Sequence, residues 1–318
     1  MKDKSVFTLK GIAIIGVVFH HLGNRRYGSE VADSLIMIRS FFPFDILLFL
    51  AVAGWLHSLA EERKPKSMED FLKLRSRRLI LPFVVIVIVY SLFWQVIQRA
   101  GCFDLLGRIP AGFWDKLWAS MPPTHGGEVA MQLNFLPFLF LVSTFTHLIF
   151  RVDGLRGLQF LCGLMLLVGF IGLSNTPNVG YTLGTLVWGT FIYSAGFILY
   201  RWRNQSLTML ATFALTLLLG CAMGPLGLSK GLPLILLAVM KRLRFETFPL
   251  LPWIGEASGT IYVYHLPFII IPLTVLASRL PTLGLQLVGA ITAGFTTILI
   301  IAIAWHRLRT TPLRFAII

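Results

Sequence analysis

LKGIAIIGVVFHHL, residues 9–22, is the stretch that decides the fold of this chain. Between its lysine and its two histidines it contains only apolar residues and glycine, which predicts a helix inside a membrane. Lys10 and His21 are eleven residues apart, or three helical turns plus about 20°, so their side chains share one face. On that helix they would lie about 16 Å apart along the axis.

Two interpretations of this helix remain open from spacing alone. A cation and an imidazole on an otherwise apolar helix are costly in lipid, which favours a functional site. Alternatively, the two ends of the helix reach opposite headgroup layers, with Lys10 snorkelling to one of them. His20 points about 100° away from His21, and either histidine could be a polar group satisfied by a neighbouring helix.

Composition sets the class of protein. The chain has 318 residues, of which 56% are hydrophobic and 13% are charged, and its mean hydropathy is +0.78. Soluble domains carry about 25% charged residues, so we predict an all-α polytopic membrane protein with one domain over residues 1–318. The net charge of +14 fits the positive-inside rule, and we expect no nucleic-acid partner. The three cysteines give no disulfide framework.

Hydropathy predicts about ten transmembrane helices, which places both termini on the same side. Most of the 28 lysines and arginines then lie on that side, which is therefore predicted to be cytoplasmic. We also predict a short amphipathic helix at the interface over residues 111–121. The predicted spans are 7–23, 36–59, 79–96, 132–150, 158–173, 179–200, 207–223, 226–240, 254–277 and 283–305.

Charged residues outside the first span supply further candidates. Asp45 is the only acid inside the second span and could orient a histidine or balance an arginine. Arg75, Arg77 and Arg78 precede the third span, where guanidinium groups could hold phosphate oxygens. For arginines at such a position, plain positive-inside anchoring is the more common explanation.

The ninth span carries three polar residues at helical spacing. Ser258, Tyr262 and His265 share one face, and packing with interhelical hydrogen bonds explains them without catalysis. We interpret His57, His147 and His306 as interfacial because they lie near predicted helix ends. No spacing in the sequence resembles a metal site, so we expect none.

With these motifs in place, the chain resembles acyltransferase family 3, whose members are integral-membrane O-acyltransferases. That family has an arginine, ten residues and a histidine in its first helix, and here Lys10 stands in the arginine position before His21. Similar stretches follow in order along the chain: FLAVAGWL at 49–56, DFLKLRSRRLILPF at 70–83, LNFLPFLFL at 133–141 and WIGEASGTIYVYHLPF at 253–268.

The resemblance implies an activity and a set of roles. It implies O-acyl transfer from cytoplasmic acyl-CoA, with acetyl as the expected group, to a hydroxyl of an envelope glycan or lipid in a bacterial inner membrane. Acyl-CoA would be a co-substrate, with no tightly bound cofactor. His21 would act as general base, with Asp45 as a second catalytic candidate. The phosphates would meet Arg75, Arg77, Arg78 and Lys10, where lysine lacks the planar fork of arginine.

Two other functions remain as alternatives. A polytopic transporter of an envelope precursor or a small anion would also suit intramembrane Asp, Glu and His. Transporters often have two related halves, and this sequence shows no such halving. A non-catalytic membrane binding partner is the third possibility, and the lysine at position 10 is the feature that favours it.

Overall fold

The computed structural model describes residues 4–22, 29–40, 45–99, 135–171, 180–205, 207–223, 225–243, 249–265 and 269–311. Within these ranges every regular element is helical and there is no strand, which confirms the predicted all-α class. The amphipathic helix predicted at 111–121 lies outside the described residues.

The helices have the following bounds: α1 Lys4–His20, α2 Ser29–Ser40, α3 Asp45–Arg63, α4 Met68–Arg75, a π-helical turn Ser76–Ile80, α5 Leu81–Arg99, α6 Phe135–Phe170, α7 Gly180–Arg201, α8 Leu207–Met223, α9 Pro225–Leu243, α10 Leu250–Glu256, α11 Ser258–Tyr264, α12 Ile270–Ser278 and α13 Leu283–Leu308.

Two of the described helices, α6 and α13, are long and apolar enough to cross a membrane. Shorter apolar helices accompany them at Leu210–Cys221 and Gly227–Val239. Many large apolar side chains on these helices are exposed, among them Phe160, Leu217 and Ile303. Such a surface is suited to lipid rather than water. The number of ten spans and the cytoplasmic side of the termini stay predictions.

Helix α6 is interrupted at Gly154. Its φ of 63° and ψ of −146° are not helical, and glycine adopts a positive φ without a steric penalty. An unbroken helix of 36 residues would be about 54 Å long, well beyond the ~30 Å of a hydrocarbon core. The break coincides with the predicted link between the fourth and fifth spans.

Two predicted spans each overlap more than one helix of the structure. The second, 36–59, overlaps α2 and α3, and residues 41–44 between them lie outside the described part of the chain. The ninth, 254–277, comprises parts of α10, α11 and α12. Ala257, with φ −86° and ψ 0°, separates α10 from α11, and Pro267 stands between α11 and α12 in the sequence. The predicted span 254–277 therefore runs past the interruption at Ala257, although Glu256, Ser258 and Gly259 flank it in the sequence.

The chain forms two compact units. The first, called unit 1, comprises Met1–Leu9, Ile46–Ile80 and Leu136–Phe248. The second, called unit 2, comprises Lys10–Asp45, Leu81–Phe135 and Pro249–Ile318.

In unit 1, small residues bring α3 and α7 into backbone contact. A β-carbon at Gly54 would overlap the carbonyl oxygen of Tyr193, and one at Gly196 would overlap that of Ala51. Close approach of two helices at glycine is a common packing device in membranes. This contact holds the middle of α3 directly against the backbone of Tyr193.

In unit 2, α1 packs against both α10 and α13. A β-carbon at Gly11 would overlap the carbonyl oxygen of Leu251, so α10 lies directly on α1. Near the other end, the rings of Phe19 and Phe295 meet edge to face with centroids 5.1 Å apart. The end of α1 is thereby fixed within the unit, together with the histidine that follows it.

Candidate functional site

His21 follows directly after the last residue of α1. Its backbone N–H donates to the carbonyl of Val18 over 3.1 Å, which forms a turn at the end of the helix. The imidazole is half-buried, and its centroid lies 5.2 Å from that of His265 with the planes tilted by 42°. The ring of His20 lies 5.8 Å away from His21. The structure therefore brings together two histidines that are far apart in the sequence.

His265 is fully buried at the C-terminal end of α11. Its Nδ1 lies 2.8 Å from the carbonyl oxygen of Tyr262 and 3.0 Å from that of Ile261. A carbonyl oxygen only accepts, so Nδ1 carries the hydrogen and Nε2 of the neutral ring carries a lone pair. Within the described part of the chain, this buried Nε2 has no hydrogen-bond partner. The Nε2 atom of His265 is therefore a hydrogen-bond acceptor on the ring that lies beside His21.

Ser258 and Tyr262 share α11 and are buried with His265. The Tyr262 ring lies 6.1 Å from that of His265 and 5.2 Å from that of Phe135. The Ser258 hydroxyl has no hydrogen-bond partner among the described residues. The polar face expected on the ninth span therefore exists, and it lies inside the protein rather than toward lipid.

Two further predicted site residues are Lys10 and Asp45. Lys10 is half-buried in the first half of α1, whereas His21 follows the C-terminal end of that helix. Asp45 is the first residue of α3, and its side chain lies outside the described part of the structure. Its predicted catalytic role stays a prediction.

The three predicted phosphate-binding arginines differ from one another. Arg77 and Arg78 are exposed on the π-helical turn Ser76–Ile80. Arg75 is half-buried, donates to the Tyr193 hydroxyl over 3.2 Å and stacks 5.1 Å above the ring of Phe71. The exposed pair is free of that internal arrangement and retains its full guanidinium fork for a ligand.

A second histidine group lies in unit 1, and the sequence interpretation missed it. His57 and Glu61 of α3 and His147 of α6 are all buried, with exposed fractions of 3%, 4% and 0%. His57 Nε2 is 3.2 Å from His147 Nδ1, which is 3.8 Å from Glu61 Oε1. We call this group the His–Glu–His cluster. Its two histidines are interior residues, so our interpretation of them as interfacial is wrong.

One sequence signal for this cluster was present. His57 and Glu61 are four residues apart in HSLAE, which places both on one face of a helix. The third member, His147, lies 90 positions from His57. Only the packing of α6 against α3 reveals it.

The carboxylate next to the cluster has different surroundings. Glu62 is exposed and accepts from the Tyr200 hydroxyl and from Arg203 over 3.2 Å. The hydrogen bond from Tyr200, and then that from Arg203, lower the pKa of Glu62 below its ordinary value of 4.5. Glu61 therefore belongs to the His–Glu–His cluster, whereas its neighbour Glu62 contacts Tyr200 and Arg203.

The comparisons with known proteins give one match. The model of a family described as an acyltransferase domain matches residues 4–306, nearly the whole chain. No curated protein and no solved structure matches the chain.

Proposed function

Because this chain belongs to acyltransferase family 3 and is therefore a membrane acyltransferase, we propose that it transfers an acyl group from acyl-CoA to a hydroxyl of an envelope glycan or lipid. Acetyl is the expected group, and His21 is the proposed general base. The observation that carries this proposal is the pairing of His21 with the buried His265. It supports the histidine that the family motif also singles out.

The proposed chemistry needs one proton acceptor. The neutral imidazole of His21 takes the proton of the acceptor hydroxyl, and the hydroxyl oxygen attacks the carbonyl carbon of the thioester. The carbon–oxygen bond forms and the carbon–sulfur bond breaks, and the protonated imidazole returns the hydrogen to the departing thiolate of coenzyme A. A covalent acyl-histidine is not required for this sequence.

His265 is proposed as a positioning residue for this step. Backbone carbonyls fix its Nδ1–H, so its ring cannot turn without losing two hydrogen bonds. A ring held in this way limits the orientations open to the imidazole of His21 beside it. Preorganisation of this kind raises the rate by holding the base in a reactive geometry.

The coenzyme is proposed to bind through its phosphates to Arg77 and Arg78. Their exposure leaves the guanidinium groups available for bidentate contacts. Arg75 and Lys10 are further proposed contacts, and the lysine would act as a point charge rather than as a fork. We place the protein in a bacterial inner membrane, with cytoplasmic acyl-CoA, the acceptor and the lipid bilayer as its partners.

Reconstitution tests the proposed reaction. The purified protein is placed in liposomes with acetyl-CoA that is radiolabelled in the acetyl group, and envelope glycan and lipid extracts are supplied. We expect label to appear in the acceptor fraction and free coenzyme A to form in equal amount. Uptake of an envelope precursor or anion without acetyl-CoA, and with no labelled product, would contradict this proposal and support the transporter instead.

A further inference from the structure

We propose that the His–Glu–His cluster of unit 1 is a binding site for a divalent transition-metal ion, with Zn²⁺ as the occupant that fits best. One ligand atom from each of His57, Glu61 and His147 lies within 4.8 Å of the other two. Histidine nitrogen and carboxylate oxygen are ordinary zinc ligands. This proposal concerns residues outside the His21–His265 pair and does not depend on the acyl-transfer reaction.

Two of the three distances between ligand atoms lie near those of a tetrahedral ion, and all three ligand atoms lie within 4.8 Å of one another. Zinc–ligand bonds of 2.0–2.1 Å place neighbouring ligand atoms about 3.3 Å apart. The two histidine nitrogens are already 3.2 Å apart. Glu61 Oε1, at 3.8 Å from His147 Nδ1, would need to move inward by roughly half an ångström. The same movement of the Glu61 side chain must also bring Oε1 toward His57, whose ligand atom lies within 4.8 Å of it.

The helices present the three ligands from two directions. His57 and Glu61 are separated by one turn on α3, so they face the same way. His147 faces them from α6, and the ring of Phe71 stacks on it with a centroid distance of 3.9 Å. An ion here would join two helices that are far apart in the chain.

Two of the three ligands, His57 and Glu61, have outer-shell contacts of the kind that metal ligands usually have. Tyr193 Oη lies 3.1 Å from His57 Nδ1, and Arg75 donates to the same hydroxyl. If Nδ1–H of His57 donates to Tyr193, the lone pair of the ring lies on Nε2, the atom that faces His147. Arg151 holds Glu61 Oε2 at 3.1 Å, which leaves Oε1 directed at the histidines.

Burial gives the cluster a reason to bind a cation. Glu61 is paired with Arg151 through Oε2, while its Oε1 and the two buried imidazoles face one another. Such groups are retained in protein interiors when they are paired or coordinate a metal. Three protein ligands fill three positions of a tetrahedral ion, as at zinc sites that keep a fourth position open. That position would take water or an oxygen atom of a small ligand.

Metal content tests the proposal without any activity assay. The full-length protein is purified in detergent, treated with a chelator, exposed to Zn²⁺ and freed of excess metal before elemental analysis. We expect about one zinc ion per chain for the wild type. Glu61→Gln and His147→Gln should lower the affinity at least 100-fold, and Tyr193→Phe should lower it about 10–100-fold.

The neighbouring carboxylate provides the matched control. Glu62→Gln removes the adjacent charge, whose partners are Tyr200 and Arg203, and it should leave the zinc content unchanged. Wild-type protein that remains monodisperse and retains no zinc after loading would overturn the proposal. Equal zinc in Glu61→Gln, His147→Gln and Glu62→Gln would overturn it as well. Cobalt substitution adds a spectroscopic test, because a four-coordinate ion should give visible absorption that both cluster variants lose.

Discussion

The two histidine groups of this protein have nearly the same ring spacing and very different surroundings. The centroids are 5.2 Å apart for His21 and His265, and 5.3 Å apart for His57 and His147. In the second group the ring nitrogens approach each other directly, and a buried carboxylate faces them. In the first, backbone carbonyls fix one ring and leave its other nitrogen as an acceptor.

This difference indicates a division of tasks. Nitrogen atoms that converge with a carboxylate favour cation binding, whereas a fixed ring beside a half-buried imidazole favours proton transfer. Each group lies in a different unit, and each unit has its own tightly packed glycine. The two can therefore be disturbed separately.

The largest effects should come from filling those glycines. Gly11→Val would force a side chain into the backbone of α10, and Gly54→Val would force one into the backbone of α7. Each should cost roughly 3 kcal/mol, the upper part of the usual range for overpacking. Thermal unfolding in detergent checks this, with Gly163→Val as the control because nothing lies within 4 Å of its side-chain position.

These glycine variants also separate the two groups by function. Protein that survives with Gly11→Val should lose acyl transfer, and protein that survives with Gly54→Val should lose zinc. Equal stability of all three valine variants would show that the close helix contacts are not maintained.

A smaller effect is expected from His265→Asn. Loss of the positioning ring should lower kcat about tenfold while the KM for acyl-CoA stays within about twofold, because binding of the coenzyme does not involve it. Steady-state kinetics in liposomes give both values. His306→Asn is the matched control, since His306 also bonds to a backbone carbonyl, that of Trp253, over 3.1 Å. A larger KM with unchanged kcat would contradict the role of His265.

The arginines of unit 1 differ in the same way. Arg75 contacts Tyr193 beside the His–Glu–His cluster, whereas Arg77 and Arg78 are exposed. Replacing Arg77 and Arg78 together with alanine should raise the KM for acyl-CoA at least about tenfold, because the loss of a single charge-assisted contact already corresponds to about that factor. Lys73→Ala is the control, because Lys73 is an exposed cation paired with Glu69 on the preceding helix. An unchanged KM in the double variant would assign these arginines to membrane anchoring.

The smallest effect concerns Glu62, the exposed neighbour of Glu61. Its pKa is lowered in the folded protein, so the stability it contributes is present above the ordinary value of 4.5 and is lost as the pH falls through the lowered value. Wild type and Glu62→Gln should therefore differ most in Tm at neutral pH and converge in acid. A difference that grows in acid would contradict the direction of this shift.

Much of the helical pattern was accessible from the sequence. The predicted span 207–223 coincides with α8, and the break at Gly154 falls where polar residues interrupt the apolar pattern. The break at Ala257 was missed, because a few polar or small residues such as Glu256, Ser258 and Gly259 do not end an otherwise apolar span. Hydropathy describes where a chain is apolar, and it does not describe where the backbone leaves the helix.

The candidate sites show the same limit. Helical spacing singled out His21, and the face shared by Ser258, Tyr262 and His265 was also visible in the sequence. The contact between His21 and His265 depends on the packing of distant helices, so no local pattern could predict it. The His–Glu–His cluster needed both a helical pair and a partner from α6. Only its HSLAE half could be found in advance.

The central claim is that His21 is the general base of acyl transfer, and the transfer rate of the His21→Ala variant tests it most directly. The variant is reconstituted beside wild type and His306→Ala, with radiolabelled acetyl-CoA, an acceptor extract and equal amounts of monodisperse protein. We predict that the rate falls about 100-fold or more, the contribution of a general base, while His306→Ala retains transfer. A His21→Ala variant that transfers the label at the wild-type rate would contradict the account.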